Sequence, residues 1–512
     1  MREQVVEVGA SLRLIAPPRE LRASLTDALT YPNPDAKRAA KLGLWYRPDP
    51  FLSNYTHEGA DLIVPRGAAG RVRAACSGLA TLRWLDKRTH APCNYPSRVM
   101  IDRALEGRGI KPTDRQLAAV AALVARQTAY LRAPTGIGKS LVMALAIAKA
   151  GERALVIVPD TGLRDQFVAT IESTFGKGYV GLLRSKPHRL AAVLVATYAM
   201  AWRVVKVGGD WFRRLRAAIG VLVCDELQYA AAPTVLGVVE AFPTFHRWGC
   251  SADERRKDER ELLIYDAFAR PADHISVAEA VEEGRIIQAR VIVVRTHVRD
   301  LEYERAMWGR LCESCSRAWL KDEWGERPVC PNCRVALSTE RGCASPKARR
   351  DLFQVADETI RTSELRNDLI ADLAVRDVKA GHSVLILVRR LEHVETLHAR
   401  IVKFIECGVL RGGASHKKNF SATKSALEAG TLRCAIGTSV TFQGFDVRRL
   451  DRGIIAVPAA NNEMLLEQML GRFRRVSVGK DDAVVRYLWD EHLFPSAGKK
   501  ILARYRDLVS FE

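Results

Sequence analysis

The chain has 512 residues, 48% of them hydrophobic, which excludes a single small core and allows several domains. Lys and Arg number 79 against 59 Asp and Glu, a net charge of +20 that favours a polyanionic partner. No stretch reaches the length of a membrane span, Met1 to Ala23 lacks a secretory apolar core, and eleven cysteines are few for this length; a cytoplasmic, reducing setting is expected.

Residues 1–107 stand apart by composition and are read as an N-terminal accessory domain. Val5 to Ile15 predicts a strand stopped by Pro17 and Pro18. Pro32, Pro34, Pro48 and Pro50 mark loops around a short basic helix near Ala36 to Leu42, and Asp61 to Arg66 predicts a strand. Arg71, Arg73, Arg83, Lys87, Arg88 and Arg98 make the second half basic, either as a solvated face or as a surface for nucleic acid.

A second domain is read over 108–285. Leu117 to Gln127 predicts a helix, and Tyr130 to Ala133 leads into LRAPTGIGKSL, Leu131 to Leu141. This is the pattern G-x-x-x-x-G-K-[ST] with Ala133 in place of the first Gly. Pro134, Thr135, Gly136, Ile137 and Gly138 form a turn whose backbone N–H groups point at phosphate oxygens. Lys139 reaches the terminal phosphates, and Ser140 is a ligand for Mg²⁺. Apolar runs at Ala154 to Val158, Ala191 to Ala196, Ile219 to Cys224 and Phe245 to Cys250 predict buried parallel strands separated by helices. The third delivers Asp225 and Glu226 at its C-terminal end. An Asp there can hold Mg²⁺, and the neighbouring Glu can orient or deprotonate a water attacking a γ-phosphate.

Val291 to Arg295 is another apolar run. Cys312, Cys315, Cys330 and Cys333 follow as two C-x-x-C knuckles with fourteen residues between them, a spacing that suits tetrahedral Zn²⁺, with free cysteines or a redox pair as the alternative. Cys343 lies outside this pattern. Trp319 and Trp324, with Arg317, Lys321 and Arg327, either stack on unpaired bases or pack the small zinc core. Further on, Val384 to Val388, Leu432 to Thr438 and Gly453 to Val457 predict strands. Glu392 to Leu410 and Asn462 to Leu470 predict helices, the second leading into Gly471, Arg472, Phe473, Arg474 and Arg475.

In this order, the segments resemble those of a superfamily 2 helicase or translocase of the DEAD/DEAH-like kind, over roughly residues 108 to 512. The resemblance rests on Lys111-Pro112-Thr113 with Gln116, Ala133 to Ser140, Val158-Pro159, Asp165-Gln166, Thr197-Tyr198, Val223 to Gln228, Gly249 to Asp253, Ser439 to Asp446, and Gln468, Gly471, Arg472 and Arg475. It implies an α/β fold of two tandem RecA-like parallel-sheet domains, 108–285 and 286–512, that clamp ATP and Mg²⁺ between them. Gln116 would contact the base, Gln228 would bridge motifs, and Gly444, Asp446 and Gln468 would complete the nucleotide site. Arg472 and Arg475 would approach the phosphates, at least one as an arginine finger. Asp253 replaces the Thr usual in motif III. Thr197, Arg389 and Thr438 are candidate contacts to a nucleic-acid backbone; Arg255, Arg256 and Lys257 are equally a solvated face.

Pro32-Asn33-Pro34 and Pro65-Arg66-Gly67 make the N-terminal domain resemble the small accessory domain of phage and prokaryotic branched-DNA remodelling helicases. The zinc module, 308–345, is an insertion between the two RecA-like domains, placed within the 286–512 unit. The expected function is an ATP-dependent DNA helicase or branched-DNA remodelling translocase in replication, recombination or repair. Its partners would be single-stranded or branched DNA and replication or recombination proteins, with no membrane. An RNA helicase, a motor subunit of a restriction or defence assembly, and a non-enzymatic nucleic-acid-binding module are the alternatives.

Overall fold

The computed structural model describes residues 2–41, 46–252, 260–324, 328–338, 346–412, 416–438, 445, 447–457, 463–504 and 509–511. They gather into two compact units, Met1–Ala39 with Tyr46–Arg285, and Ala40–Trp45 with Ile286–Glu512.

The N-terminal part of the first unit contains β1 (Arg2–Val8), β2 (Ser11–Leu14), β3 (Thr30–Pro32), β4 (Phe51–Ser53), β5 (Thr56–Glu58), β6 (Asp61–Pro65) and β7 (Ala80–Asp86). β3 pairs with β4, and the others form a sheet in the order β5-β6-β2-β1-β7, with β1 and β7 parallel and the other pairs antiparallel. The single strand expected over Val5 to Ile15 is therefore two. Gly9 N–H donates to the Ser11 carbonyl at 2.9 Å and closes the turn between them.

The rest of the unit is built on β8 (Thr128–Arg132), β9 (Ala154–Val158), β10 (Val180–Leu182), β11 (Val193–Thr197), β12 (Val221–Asp225), β13 (His246–Ser251) and β14 (Pro271–His274). They form a parallel sheet in the order β10-β11-β9-β12-β13-β8-β14. Every residue of β9 and β12 is buried, as their unbroken apolar runs require of strands covered on both faces.

Buried polar groups fasten the N-terminal part to this sheet. Arg66 is 3% exposed; its guanidinium donates to the carbonyls of Phe245 at 2.6 Å, Gln127 at 3.2 Å, and Thr244. Asp266 accepts from Tyr31 Oη at 2.8 Å and Asn54 Nδ2 at 2.6 Å, and pairs with Arg71 at 2.7 Å. A Cβ on Gly67 would lie 2.4 Å from the Ala269 nitrogen, so only glycine permits this approach. The basic stretch is engaged in the same way. Besides Arg71, Arg73 covers Trp84, Arg83 faces Glu3, Arg88 pairs with Asp86 and Arg98 with Asp102.

The second unit contains β15 (Ala289–Thr296), the short pair β16 (Arg310–Leu311) and β17 (Ala318–Trp319), then β18 (Val384–Leu387), β19 (Gly408–Leu410), β20 (Cys434–Gly437), β21 (Arg452–Ile455), β22 (Ala483–Asp490) and β23 (Val509–Phe511). Apart from β16 and β17 these make a parallel sheet in the order β19-β20-β18-β21-β22-β15-β23. Leu385 and Leu387 enter one apolar layer with Val291, Val293 and Tyr487, while Val384 and Ile386 enter the opposite layer. The two RecA-like sheets expected from the sequence are both present.

Three details differ from expectation. The helix predicted from Glu392 to Leu410 is Leu391–Ile401, and Gly408–Leu410 is a sheet-edge strand. A Cβ on Gly408 would meet Thr423 Cγ2 at 2.6 Å, so the strand packs through the missing side chain. The buried strand β22 has no counterpart in the sequence reading. The zinc insertion follows β15, which belongs to the second sheet through eight register pairs with β22; the insertion therefore interrupts the second domain rather than separating the two.

Candidate functional site

The C-terminal ends of β8, β13 and β12 are neighbours, because Arg132 pairs with Ser251 and Cys250 with Asp225. β8 runs straight into the phosphate-loop sequence, and Ala133 N–H donates to the Ser251 carbonyl at 3.0 Å. Gly136 (φ 103°) and Gly138 (φ 82°) take left-handed backbone, which lets the loop turn tightly before the helix Lys139–Ala150. Pro134 and Ile137 are buried; Thr135, Lys139 and Ser140 are half-buried. Lys139 Nζ donates to the loop's own Ala133 carbonyl at 3.1 Å.

Gln116 sits against this loop and is 3% exposed. Its Nε2 donates to the Ile137 carbonyl at 2.5 Å, and its Oε1 accepts from Thr113 N–H at 2.9 Å. Thr113 returns the bond from its hydroxyl oxygen to Gln116 N–H, a capping box that starts the helix Asp114–Ala125. The predicted base-contacting amide is thus bonded to the phosphate loop.

Asp225 ends β12 in a buried position. Its Oδ1 accepts from Glu226 N–H and from the Cys250 thiol, each at 3.0 Å. Burial, reinforced by the charge of Glu226, pushes its carboxyl up to about 6. Glu226 adopts φ 55°, a left-handed conformation that costs a non-glycine residue about 1–2 kcal/mol. The surrounding bonds hold it there. Gln228 Nε2 donates to Glu226 Oε2 at 2.6 Å, Ser251 Oγ donates to Gln228 Oε1 at 2.7 Å, and Tyr198 Oη donates to the Asp225 carbonyl. The Gln228 amide therefore bridges the β12 end to the β13 end. Leu227 fits between them only because β13 has Gly249, where a Cβ would lie 2.5 Å from Leu227 Cδ1. Neither Tyr198 nor Cys250 had a role in the sequence reading; both are disclosed by strand register.

Thr197 caps the helix Tyr198–Val207, accepting from Met200 N–H at 3.3 Å. In the second unit Thr438 is buried, while Arg389 lies over Phe353 and faces Asp357. Arg472, on the helix Glu463–Phe473, donates to the Phe445 carbonyl; Arg475 follows that helix and bridges to Ile286. Arg474 turns inward to Glu467 at 3.1 Å. Gly444, Asp446, Asp253, Arg255, Arg256, Lys257, Arg327, Cys343 and the Gln468 side chain lie outside the described residues.

The four cysteine sulfurs of the insertion all lie within 4.8 Å of one another. Cys315 Sγ is 3.8 Å from Cys330 Sγ. Sulfurs bound at about 2.3 Å to a tetrahedral ion stand about 3.8 Å apart. The knuckles repeat one geometry: Ser316 (φ 54°) and Arg334 (φ 59°), each just after the second cysteine of its pair, are both left-handed. Burial raises the Cys330 thiol, but the N–H groups of Cys333 and Asn332 and the neighbouring thiols outweigh it and pull the group down to about 7. These residues fit Zn²⁺, which would supply the cross-link that so small a module lacks. Trp319 packs inside it beside Leu337, with Arg305 and Arg317 over its ring, and Trp324 donates to the Trp319 carbonyl at 3.2 Å. Of the two readings of these tryptophans, packing describes Trp319.

Residues 113–234 match the family model of the DEAD/DEAH box helicase. Among solved structures, the chain is similar to S. cerevisiae Dbp5 bound to RNA and ADP BeF3, with a TM-score of 0.53 and 13% identity, covering 80% of this chain and 92% of that one. This is the superfamily 2 helicase fold. The helicase MrfA bound to DNA shares it, with a TM-score of 0.51 and 12% identity, covering 82% of this chain and 52% of that one. In sequence, the superfamily 2 fold here is 22% identical over 364 residues to the probable helicase D10 of Escherichia phage T5, spanning 70% of this chain and 67% of that protein. Among the described residues no helix is long and apolar enough to cross a membrane.

Proposed function

We propose that this chain is an ATP-dependent DNA helicase or branched-DNA remodelling translocase acting in replication, recombination or repair. The observation that carries the reading is the meeting of Lys139, Asp225, Glu226, Gln228 and Ser251 at adjacent strand ends of one parallel sheet. On this reading the loop from Pro134 to Gly138 and Lys139 bind the phosphates of ATP. Ser140 and Asp225 hold Mg²⁺, which supplies charge neutralisation. Glu226 takes a proton from the water that attacks the γ-phosphorus, and the bond to the β–γ bridging oxygen breaks to give ADP and phosphate. Gln116 reads the base after exchanging its bond to Ile137. Arg472 and Arg475, with Gln468, Gly444 and Asp446, come from the second domain. The grip on nucleic acid is to the phosphodiester backbone, with Thr197, Arg389 and Thr438 as contacts.

The net charge of +20 and the DNA-bound relative MrfA support a DNA substrate; the RNA-bound relative Dbp5 supports the alternative. Phosphate release stimulated by single strands, duplexes, forks and four-way junctions of DNA, beside the RNA equivalents, separates them. Lys139→Ala and Glu226→Gln are expected to lower DNA-stimulated release by at least about 100-fold. Unchanged rates in either variant would overturn the assignment, and stimulation by RNA alone would transfer it to RNA.

A further inference from the structure

We propose that His297, Glu491 and His492 form a second metal site, for a divalent transition ion of the zinc class, at the root of the four-cysteine insertion. None of the three belongs to the nucleotide or cysteine sites, and all lie in the second unit.

The backbone that carries them is fixed. β15 and β22 run parallel, with Thr296 opposite Asp490, so His297 and Glu491 are the first residues to leave adjacent strand ends. Thr296 Oγ1 donates to Asp490 Oδ1 at 2.6 Å, and Arg366 donates to the two Asp490 oxygens at 2.7 and 3.1 Å. Arg366 and Asp490 are 1% and 2% exposed, so this register lock is buried.

Beyond the lock, the ligand atoms of the two imidazoles and the carboxylate all fall within 4.8 Å of one another. Glu491 Oε1 is 3.5 Å from His297 Nδ1 and 3.9 Å from His492 Nε2. Both separations exceed the roughly 2.7–3.2 Å of an N–H···O hydrogen bond. Nitrogen and oxygen ligands bound at about 2.0–2.1 Å to a tetrahedral ion stand about 3.4 Å apart. The carboxylate oxygen is therefore spaced from both rings as two edges of a coordination tetrahedron, with the central position between them.

The donor set selects the ion. Two imidazoles and one carboxylate suit zinc-class ions, whereas magnesium and calcium take oxygen ligands. Three protein ligands leave one position for water, and His297, whose side chain is 80% exposed, gives the ion a path from solvent. The site also has a structural consequence. From His297 the chain passes through Asp300, which caps the helix Leu301–Trp308, to Cys312. A bound ion would tie the start of the insertion to the end of β22.

Zinc content and Co²⁺ absorption of the full-length protein, stripped and reloaded at micromolar free metal, test this. The wild-type chain is expected to hold two ions, and a His297→Gln/His492→Gln variant one. That variant should keep the intense thiolate-to-cobalt absorption of the cysteine site and lose only the weaker visible bands of a nitrogen–oxygen site. A wild-type chain that takes up a single ion overturns the proposal. So does a double variant that takes up the same number as wild type.

Discussion

Gln228 donates to Glu226 and accepts from Ser251, so one amide sets both the rotamer of the proposed water-orienting carboxylate and the distance between two strand ends. Gln228→Ala leaves the loop and both acidic residues intact but frees Glu226. DNA-stimulated ATPase is expected to lose about 10–100-fold in kcat with little change in KM for ATP, the range for residues that orient a reacting group through another side chain. Steady-state kinetics checks this; a change confined to KM would assign Gln228 to nucleotide binding instead. The phosphate loop and the Asp225-Glu226 pair were legible in the sequence because each is a local string, an apolar run ending in polar residues. The partners of Asp225 were not. Cys250 and Ser251 reach the site only through the β12–β13 register, and no local pattern encodes which parallel strand lies beside which.

Elements show the same division. Strands β9 and β12 are apolar throughout and were expected. β22 carries Arg486 at its centre, a residue that argues against a buried strand until its buried partner Asp377 is known. His297, Glu491 and His492 escaped for a related reason: they share no sequence spacing, only adjacent strand ends. The cysteine insertion was legible because its knuckles are local repeats. It has a small core of Cys312, Trp319, Cys330 and Leu337, too little to hold its fold without a cross-link. Chelation under reducing conditions is expected to open it selectively. Limited proteolysis should then cut between Cys312 and Cys333 while both parallel sheets stay protected, and an unchanged digestion pattern would count against a structural zinc.

At the scale of the whole molecule, each unit contains a histidine that folding keeps neutral. His246 is held down to about 4, by burial first and then by the charges of Arg66 and Arg88; His393 is held down to about 3, by burial and then by Arg366 and Arg361. The unfolded chain takes up these protons below about 6.5 and the native chain does not, so this part of the stability is present above about 6.5 and is lost as pH falls toward the native values. The slope is up to about 1.4 kcal/mol per pH unit for each imidazole. Denaturant midpoints are expected to drop between about pH 6.5 and about pH 4.5, with a shallower drop in His393→Gln; a flat profile would contradict the burial argument. The first unit's N-terminal part belongs to the same body as the phosphate loop, held by Arg66 and Asp266, so these two regions respond to acid together. The phosphate loop itself has one further consequence. Lys139 already gives a hydrogen bond to Ala133, so an arriving phosphate displaces an existing partner rather than meeting a bare ammonium. The net gain per nucleotide is the difference between two bonds, and the departing product faces the same competitor. A motor that must let go of its fuel remnants on every stroke is helped by such a built-in rival.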